Sequence, residues 1–309
     1  MTQDAGRAAA PPQTSLTTRL FGNPWLLLAL AGLFWSGNHI AGRAGAGHVP
    51  PITLASFRWL LGAALMWPFV SHLVRRDWPT IRAGWKSILL LSFFGGAVFS
   101  GMQYVALQYT SALNASIFNS FAPAIIAGAG AVMFGDRLGL KNIAGILVSF
   151  VGVLVIVSRG SFEVLRSIAF NYGDLLLLLN MAVWAIYSAC LRMRPAIHPL
   201  SFTFLLALIA GLSLTPLWVW EHVNGFPLQA TWRTAAVVGF VTIFPGILAY
   251  ICWNKGIEAV GSARGGVFLH LIPFYGAVLA TTLLGEQLAT FHIVGCALIL
   301  SGVWFAARR

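Results

Sequence analysis

The chain has 309 residues, 58% of them hydrophobic and only 9% charged, against roughly 45–50% apolar and 25% charged in soluble domains. A water-soluble globule with so few charges would expose broad apolar patches and aggregate, so the composition points to lipid as the solvent. The formal net charge of +11 comes from basic residues scattered in ones and twos between apolar runs, which fits positive-inside anchoring and excludes a phosphate-binding stripe for nucleic acid.

Residues 1–24, rich in Ala, Pro and Thr, read as a short flexible cytoplasmic tail. A spanning helix needs roughly 20 mainly apolar residues, and ten such runs follow. They lie at 25–42, 52–74, 86–108, 112–135, 140–158, 173–191, 199–220, 234–257, 266–285 and 290–307. The expected fold is therefore an all-α membrane protein of ten transmembrane helices, with connections too short for a separate soluble domain. With the N-terminus inside, the cytoplasmic segments hold fourteen Lys and Arg, while the outer ones hold Arg43, Arg159, Arg166 and Arg233. That asymmetry places both chain ends in the cytoplasm. Cys190, Cys252 and Cys296 are dispersed in apolar segments, a pattern that gives neither a disulfide framework nor a metal site.

The fourth run ends in "PAIIAGAGAVMFGD" (123–136), and the ninth contains "PFYGAVLATTLLGE" (273–286). At an offset of 150, Gly96 meets Gly246, Pro123 meets Pro273, Asp136 meets Glu286, Gly145 meets Gly295 and Gly152 meets Gly302. Trp35 meets Trp184 at 149, and Pro51 and Pro68 meet Pro199 and Pro216 at 148. A register drifting by two residues over five helices describes a duplicated unit. The expected division is a first five-helix repeat at 25–158, an outer linker at 159–172 and a second repeat at 173–307. Five is odd, so the second copy enters the membrane from the opposite face. Inverted repeats of this kind build secondary transporters that bind substrate near the midplane.

Polar side chains inside a bilayer are costly, and each needs a reason. Arg58, two turns into the second span, is the costliest, and its counterpart in the second half is Leu206. Helical spacing aligns Trp35, Asn38 and His39 on the first span, Ser100, Gln103 and Tyr104 on the third, and Ser116, Asn119 and Ser120 on the fourth. The second half aligns Asn180, Trp184, Tyr187 and Ser188 on the sixth span, Trp253 and Asn254 on the eighth, and His270 on the ninth. The candidate cavity residues are Trp35, Asn38, His39, Arg58, Gln103, Tyr104, Asn119, Trp184, Tyr187, Trp253, Asn254 and His270. Pro123 and Pro273 are the candidate helix breaks for gating. Against each stands a plainer role, since Asn, Ser and Gln also bond across packed helices and Trp and Tyr anchor helix ends. Asp136 and Glu286 read as structural acids placed before the next helix, and Lys255 and Glu258 as a solvated pair.

No Asp or Glu falls at bilayer-centre depth, and no P-loop is present. The expected cargo is thus a carboxylate-bearing or zwitterionic molecule, held by Arg58, amides and aromatic faces. No cofactor and no metal are expected. The partners are a small-molecule substrate and the lipid bilayer, not nucleic acid, with the chain acting as monomer or homodimer.

"GLFWSGNHIAGRA", "PPITLASFRW", "AYICWNKGIEAVGSARGG" and "LIPFYGAVLATTLLGEQL" resemble the ten-helix EamA-type branch of the drug/metabolite transporter superfamily. The resemblance covers about residues 25–307, with Asp136 standing where the family usually has glutamate. It implies a multi-pass protein of the bacterial inner membrane, with helices 1–4 and 6–9 around a central cavity and helices 5 and 10 outside. It also implies export of amino acids or related metabolites. An uptake carrier for sugars or nucleotide-sugars is the alternative of the same class. From other classes come an intramembrane hydrolase using Ser100 with His39 or His270, and a non-transporting scaffold; "VFSGM" carries no G-x-S-G element to favour the hydrolase.

Overall fold

The structure, a computed structural model, describes residues 22–45, 48–110, 118–167, 170–226, 228–283 and 289–307, and within them it contains helices and no strand. The principal helices are α1 (Pro24–Gly45), α2 (Pro51–Ala83), α3 (Trp85–Tyr109), α4 (Ala122–Phe134) and α5 (Leu140–Val157). They continue as α6 (Tyr172–Cys190), α7 (Pro199–Val223), α8 (Trp232–Val260), α9 (Leu271–Leu283) and α10 (Thr290–Ala307). Among the described residues seven are long and apolar enough to cross a membrane, namely α2, α3, α5, α6, α7, α8 and α10. The other three fall short for local reasons. Ser36, Asn38 and His39 interrupt the apolar run of α1, and α4 and α9 have 13 residues each.

Of the candidate break prolines, Pro123 sits in the first turn of α4 and Pro273 in the first α-helical turn after a 3-10 stretch. Pro123 follows Ala122 at the start of α4, where a missing N–H costs no hydrogen bond. Pro273 stands at the start of α9, just after a 3-10 stretch at Gly266–His270. The real irregularities are two π-helical segments, Phe93–Val98 in α3 and Thr242–Leu248 in α8. They contain the matched glycines Gly96 and Gly246, and the second also contains Pro245. Each widens a turn and frees backbone carbonyls where the two helices approach the core.

Two helix pairs dominate the packing, α5 with α10 and α2 with α7. Gly145 faces Gly302 while Gly152 faces Gly295, so α5 and α10 run antiparallel at backbone-to-backbone distance. They are the least buried of the seven long helices, consistent with an outer position. The α2–α7 pair is clamped at both ends. Glu221 near the end of α7 accepts from the Ile52 and Thr53 amides (2.9 and 2.7 Å) and caps the start of α2. Asp77 near the end of α2 accepts from the His198 amide and the Ser201 hydroxyl, both at 2.8 Å, and caps the start of α7. The remaining contacts follow an exchange pattern: α1 leans on α8 and α9, and α6 leans on α3 and α4.

Candidate functional site

The core of the bundle is aromatic. Trp35 of α1 and its sequence counterpart Trp184 of α6 meet edge to face, with centroids 5.3 Å apart. Trp253 and Tyr250 of α8 pack onto both, and Tyr187 packs onto Trp184 at 5.1 Å. The Trp35 indole donates to the Pro245 carbonyl at 3.3 Å, and the Tyr250 hydroxyl to the Gly95 carbonyl at 2.7 Å. Each carbonyl lies in a π-helical segment, so the irregular turns supply acceptors that the α-helical ladder would have consumed.

On one side of this cluster lies a cavity of about 360 Å³. Eight of the sequence candidates line it: Trp35, Asn38, Arg58, Gln103, Tyr104, Asn119, Trp184 and Pro273. Arg58 is 3% exposed. Its guanidinium donates to Tyr104 Oη (3.1 Å) and Ser100 Oγ (3.4 Å), and lies 4.7 Å over the Trp59 ring. Ser100 is fixed in turn by donating to the Gly96 carbonyl (2.6 Å) and accepting from the Trp59 indole (2.9 Å). Gly246 makes room for the arginine stem, since a Cβ there would stand 3.3 Å from Arg58 Cγ. Arg58 Nε has no hydrogen-bond partner, and no carboxylate of a described residue lies within ion-pair range of the guanidinium. Asn38 accepts from Tyr104 Oη at 3.1 Å, and Asn180 donates to Gln103 Oε1 at 2.8 Å. Asn119 Oδ1 is buried without a partner. Phe99, Met181, Leu269 and Ile272 supply the apolar wall.

Four of the other cavity candidates, and Pro123, are not part of its lining. Tyr187 donates to Asn254 Oδ1 at 2.7 Å, both residues at most 3% exposed, on the side where the bundle is closed. Trp253 belongs to the aromatic cluster. His270 is fully packed between the Ser120 carbonyl, 2.8 Å from Nε2, and Ser149 Oγ of α5. The carbonyl requires a proton on Nε2, so the ring serves as a cross-helix bridge. The side chain of His39 lies outside the described residues.

The geometry also bears on the hydrolase reading. Among the described side chains, which do not include that of His39, no histidine hydrogen-bonds Ser100, whose hydroxyl is committed to the Gly96 carbonyl. The sequence left three ionic features unread. Arg192, after α6, holds both oxygens of Asp136 after α4 in a bidentate pair, with Nη1 3.0 Å from Oδ1. Arg194 reaches Glu258 of α8 at 2.8 Å, so Glu258 pairs across helices rather than with Lys255. Asp77 and Glu221 cap partner helices. None of these pairs follows a helical spacing, because each joins segments far apart in the chain.

A helical bundle with long apolar spans, wrapped around a partly polar cavity that is sealed toward one end, defines a multi-pass membrane protein of the transporter class. The EamA-like transporter family model matches residues 23–158 and again residues 171–308, and the chain belongs to that family. Several relatives match nearly end to end. An "Uncharacterized transporter YyaM" of Bacillus subtilis is 24% identical over 92% of this chain and 93% of its own length. An "Uncharacterized transporter" of Archaeoglobus fulgidus is 27% identical over 92% and 97%. A Salmonella typhimurium protein described as "Probable amino-acid metabolite efflux pump" is 27% identical over 92% and 96%. A solved crystal structure superposes with a TM-score of 0.73 at 20% identity, covering 92% of this chain and 96% of the other, a likeness of fold.

Proposed function

We propose that this chain is a secondary carrier that exports small carboxylate-bearing or zwitterionic metabolites, amino acids foremost, across a bacterial inner membrane. Arg58 carries the reading. A buried guanidinium with an unsatisfied Nε and no carboxylate of a described residue beside it is a cost that a substrate carboxylate removes on binding. Aromatic faces and the Asn38, Gln103 and Asn119 amides then hold the rest of a small molecule. The Salmonella relative's description points to the same chemistry.

The architecture that fits is ten spans in two inverted five-helix repeats, with both chain ends in the cytoplasm. Its support is the pairing of matched glycines. Gly145 and Gly152 match Gly295 and Gly302 in sequence, yet Gly145 packs on Gly302 and Gly152 on Gly295. Equivalent helices crossing antiparallel is the contact that a two-fold axis in the membrane plane produces. In this arrangement the cavity faces outward. The opposite end is held shut by Tyr187–Asn254, Asp136–Arg192 and Arg194–Glu258, and alternating access consists of opening that end while the cavity closes.

Reconstitution into liposomes tests the reading. Labelled zwitterionic amino acids should exchange across the vesicle wall, and their carboxyl-masked amides should neither move nor compete. Equal flux of acid and amide would remove the role given to Arg58, and no flux of any carboxylate or zwitterion would remove the substrate class.

A further inference from the structure

A second cavity, of about 680 Å³, lies at the far end from the Arg58 cavity, between the segment after α4, the start of α5, the segment after α6 and the segment joining α8 to α9. Its lining brings Arg137, Lys141, Arg192 and Arg264 together around one acid, Asp136. The Asp136 charge is already spent in the bidentate pair with Arg192. Arg137 and Arg264 are exposed, and no carboxylate of a described residue pairs with either. Arg137 and Arg264 therefore give the groove positive charge that no carboxylate of a described residue balances.

Two further features adjoin it. Helix α5 begins at Leu140 behind Gly139, which offers no side-chain cap, so the positive end of an 18-residue helix opens on the groove. Ser262 is 3% exposed, lines the groove, and its Oγ has no hydrogen-bond partner. A buried hydroxyl without a partner beside uncapped amides and guanidinium groups is the donor set of a phosphate site.

The flank names the source. Val132 and Leu140 are 88% and 84% exposed, and Met133 is exposed beside them. These side chains form an apolar surface next to the cations, where an acyl chain can lie while its headgroup enters the groove. We propose that this groove binds a phosphate-bearing anion, which in the membrane is the headgroup of an anionic phospholipid. Arg192 is shared between this site and the Asp136 pair. A bound headgroup competes with Asp136 for that guanidinium and loosens the contact between the α4 and α6 ends.

The proposal does not depend on which molecule the Arg58 cavity carries. The full chain, purified in detergent, is offered phosphatidylglycerol or phosphatidylcholine and read by native mass spectrometry and thermal unfolding, with inorganic phosphate as a third arm at matched ionic strength. Retention of phosphatidylglycerol over phosphatidylcholine is expected. The Arg137→Gln/Arg264→Gln pair should lose roughly twenty-five-fold of that preference, at about fivefold per basic residue near a membrane surface. Helicity by circular dichroism should stay unchanged. Stabilisation by inorganic phosphate equal to that by the lipid assigns the same anion site to a soluble ligand. Equal retention of the two lipids with no response to phosphate overturns the site, and that wild-type comparison stands whether or not the variant folds. A preference untouched by the double variant places the lipid elsewhere and overturns it as well.

Discussion

Gly145 and Gly302 lie so close that a methyl group added to either would stand 2.5 Å from the carbonyl oxygen of the other. Gly152 and Gly295 repeat the arrangement two turns along, at 2.7 and 2.9 Å. Backbone lies on both sides of these contacts, so no side chain can swing away to make room. Gly145→Ala and Gly302→Ala should each lower stability by about 1–3 kcal/mol, the range of core overpacking. Thermal unfolding in detergent checks this. Gly139→Ala, where a Cβ would meet nothing within 4 Å, serves as the neutral control.

These glycines were legible in the sequence because membrane packing rewards small residues at helical spacing, and a duplicated pattern advertises itself twice. The cavity was legible for a related reason. Asn38, Gln103, Tyr104 and Arg58 are too polar for a lipid face, and seven of the twelve cavity candidates and one of the two break prolines, Pro273, line it. Periodicity gives a face of a helix but not its depth, nor which end of the bundle is shut. Tyr187 and Asn254 share the same kind of face as Gln103, yet they bond to each other in the closed half. His270 bridges to α5 and the Ser120 carbonyl for the same reason. The π-helical turns left only the local signals of Gly95–Gly96 in α3 and Pro245–Gly246 in α8.

Glu221 supplies the clearest structural test among residues that the sequence did not single out. Its carboxylate accepts from two amides at the start of α2 and from the Thr53 hydroxyl at 2.8 Å. Glu221→Ala should cost about 1–3 kcal/mol by leaving buried donors unpaired. Glu221→Gln, which keeps one acceptor oxygen, should cost less. The order of the two unfolding temperatures is the readout, and equal losses would show that the caps contribute nothing.

Asp136 and Arg192 make a pH prediction. The hydrogen bonds from Arg192, the largest influence, together with its charge hold the Asp136 carboxyl below its ordinary value of 3.8, against an opposing effect of burial that ranks between the two. A depressed carboxyl adds stability above the ordinary value and loses it as pH falls through the lower folded value. The pair is therefore fully formed between about pH 5 and 8, and any pH dependence of transport in that window must come from elsewhere. Asp136→Asn should raise the accessibility of a cysteine placed at Ser188 to a membrane-impermeant thiol reagent applied from the closed side. It should do so equally at pH 6 and pH 8. A wild-type accessibility that changes between those two values would assign the titration to another group.

Tyr187→Phe removes the donor that satisfies Asn254 Oδ1, where Asn254 Nδ2 is already without a partner. The sealed half then holds an amide with neither end bonded, at a cost of about 1–3 kcal/mol to this conformation alone. A state in which water reaches Asn254 carries no such cost, so the variant should shift the population toward opening at that end by about 5- to 150-fold. Labelling of a cysteine introduced at Ser188 should speed up accordingly, with folded yield preserved. Unchanged labelling would mean that Asn254 finds another partner without opening.

Arg58 separates charge from shape. Arg58→Lys keeps a cation but cannot reproduce the planar fork that reaches Tyr104, Ser100 and an incoming carboxylate together. Arg58→Gln keeps a donor and loses the charge. Removing a charge-assisted hydrogen bond costs about 1.5–3 kcal/mol, so Arg58→Gln should weaken apparent affinity for a carboxylate substrate by roughly 10- to 150-fold. Arg58→Lys should fall between that variant and the wild type. Affinity for the carboxyl-masked amide should be equally weak in all three proteins. A parallel loss for acid and amide would assign Arg58 to holding Tyr104 and Ser100 in place, with the substrate recognised by the amides and rings around it.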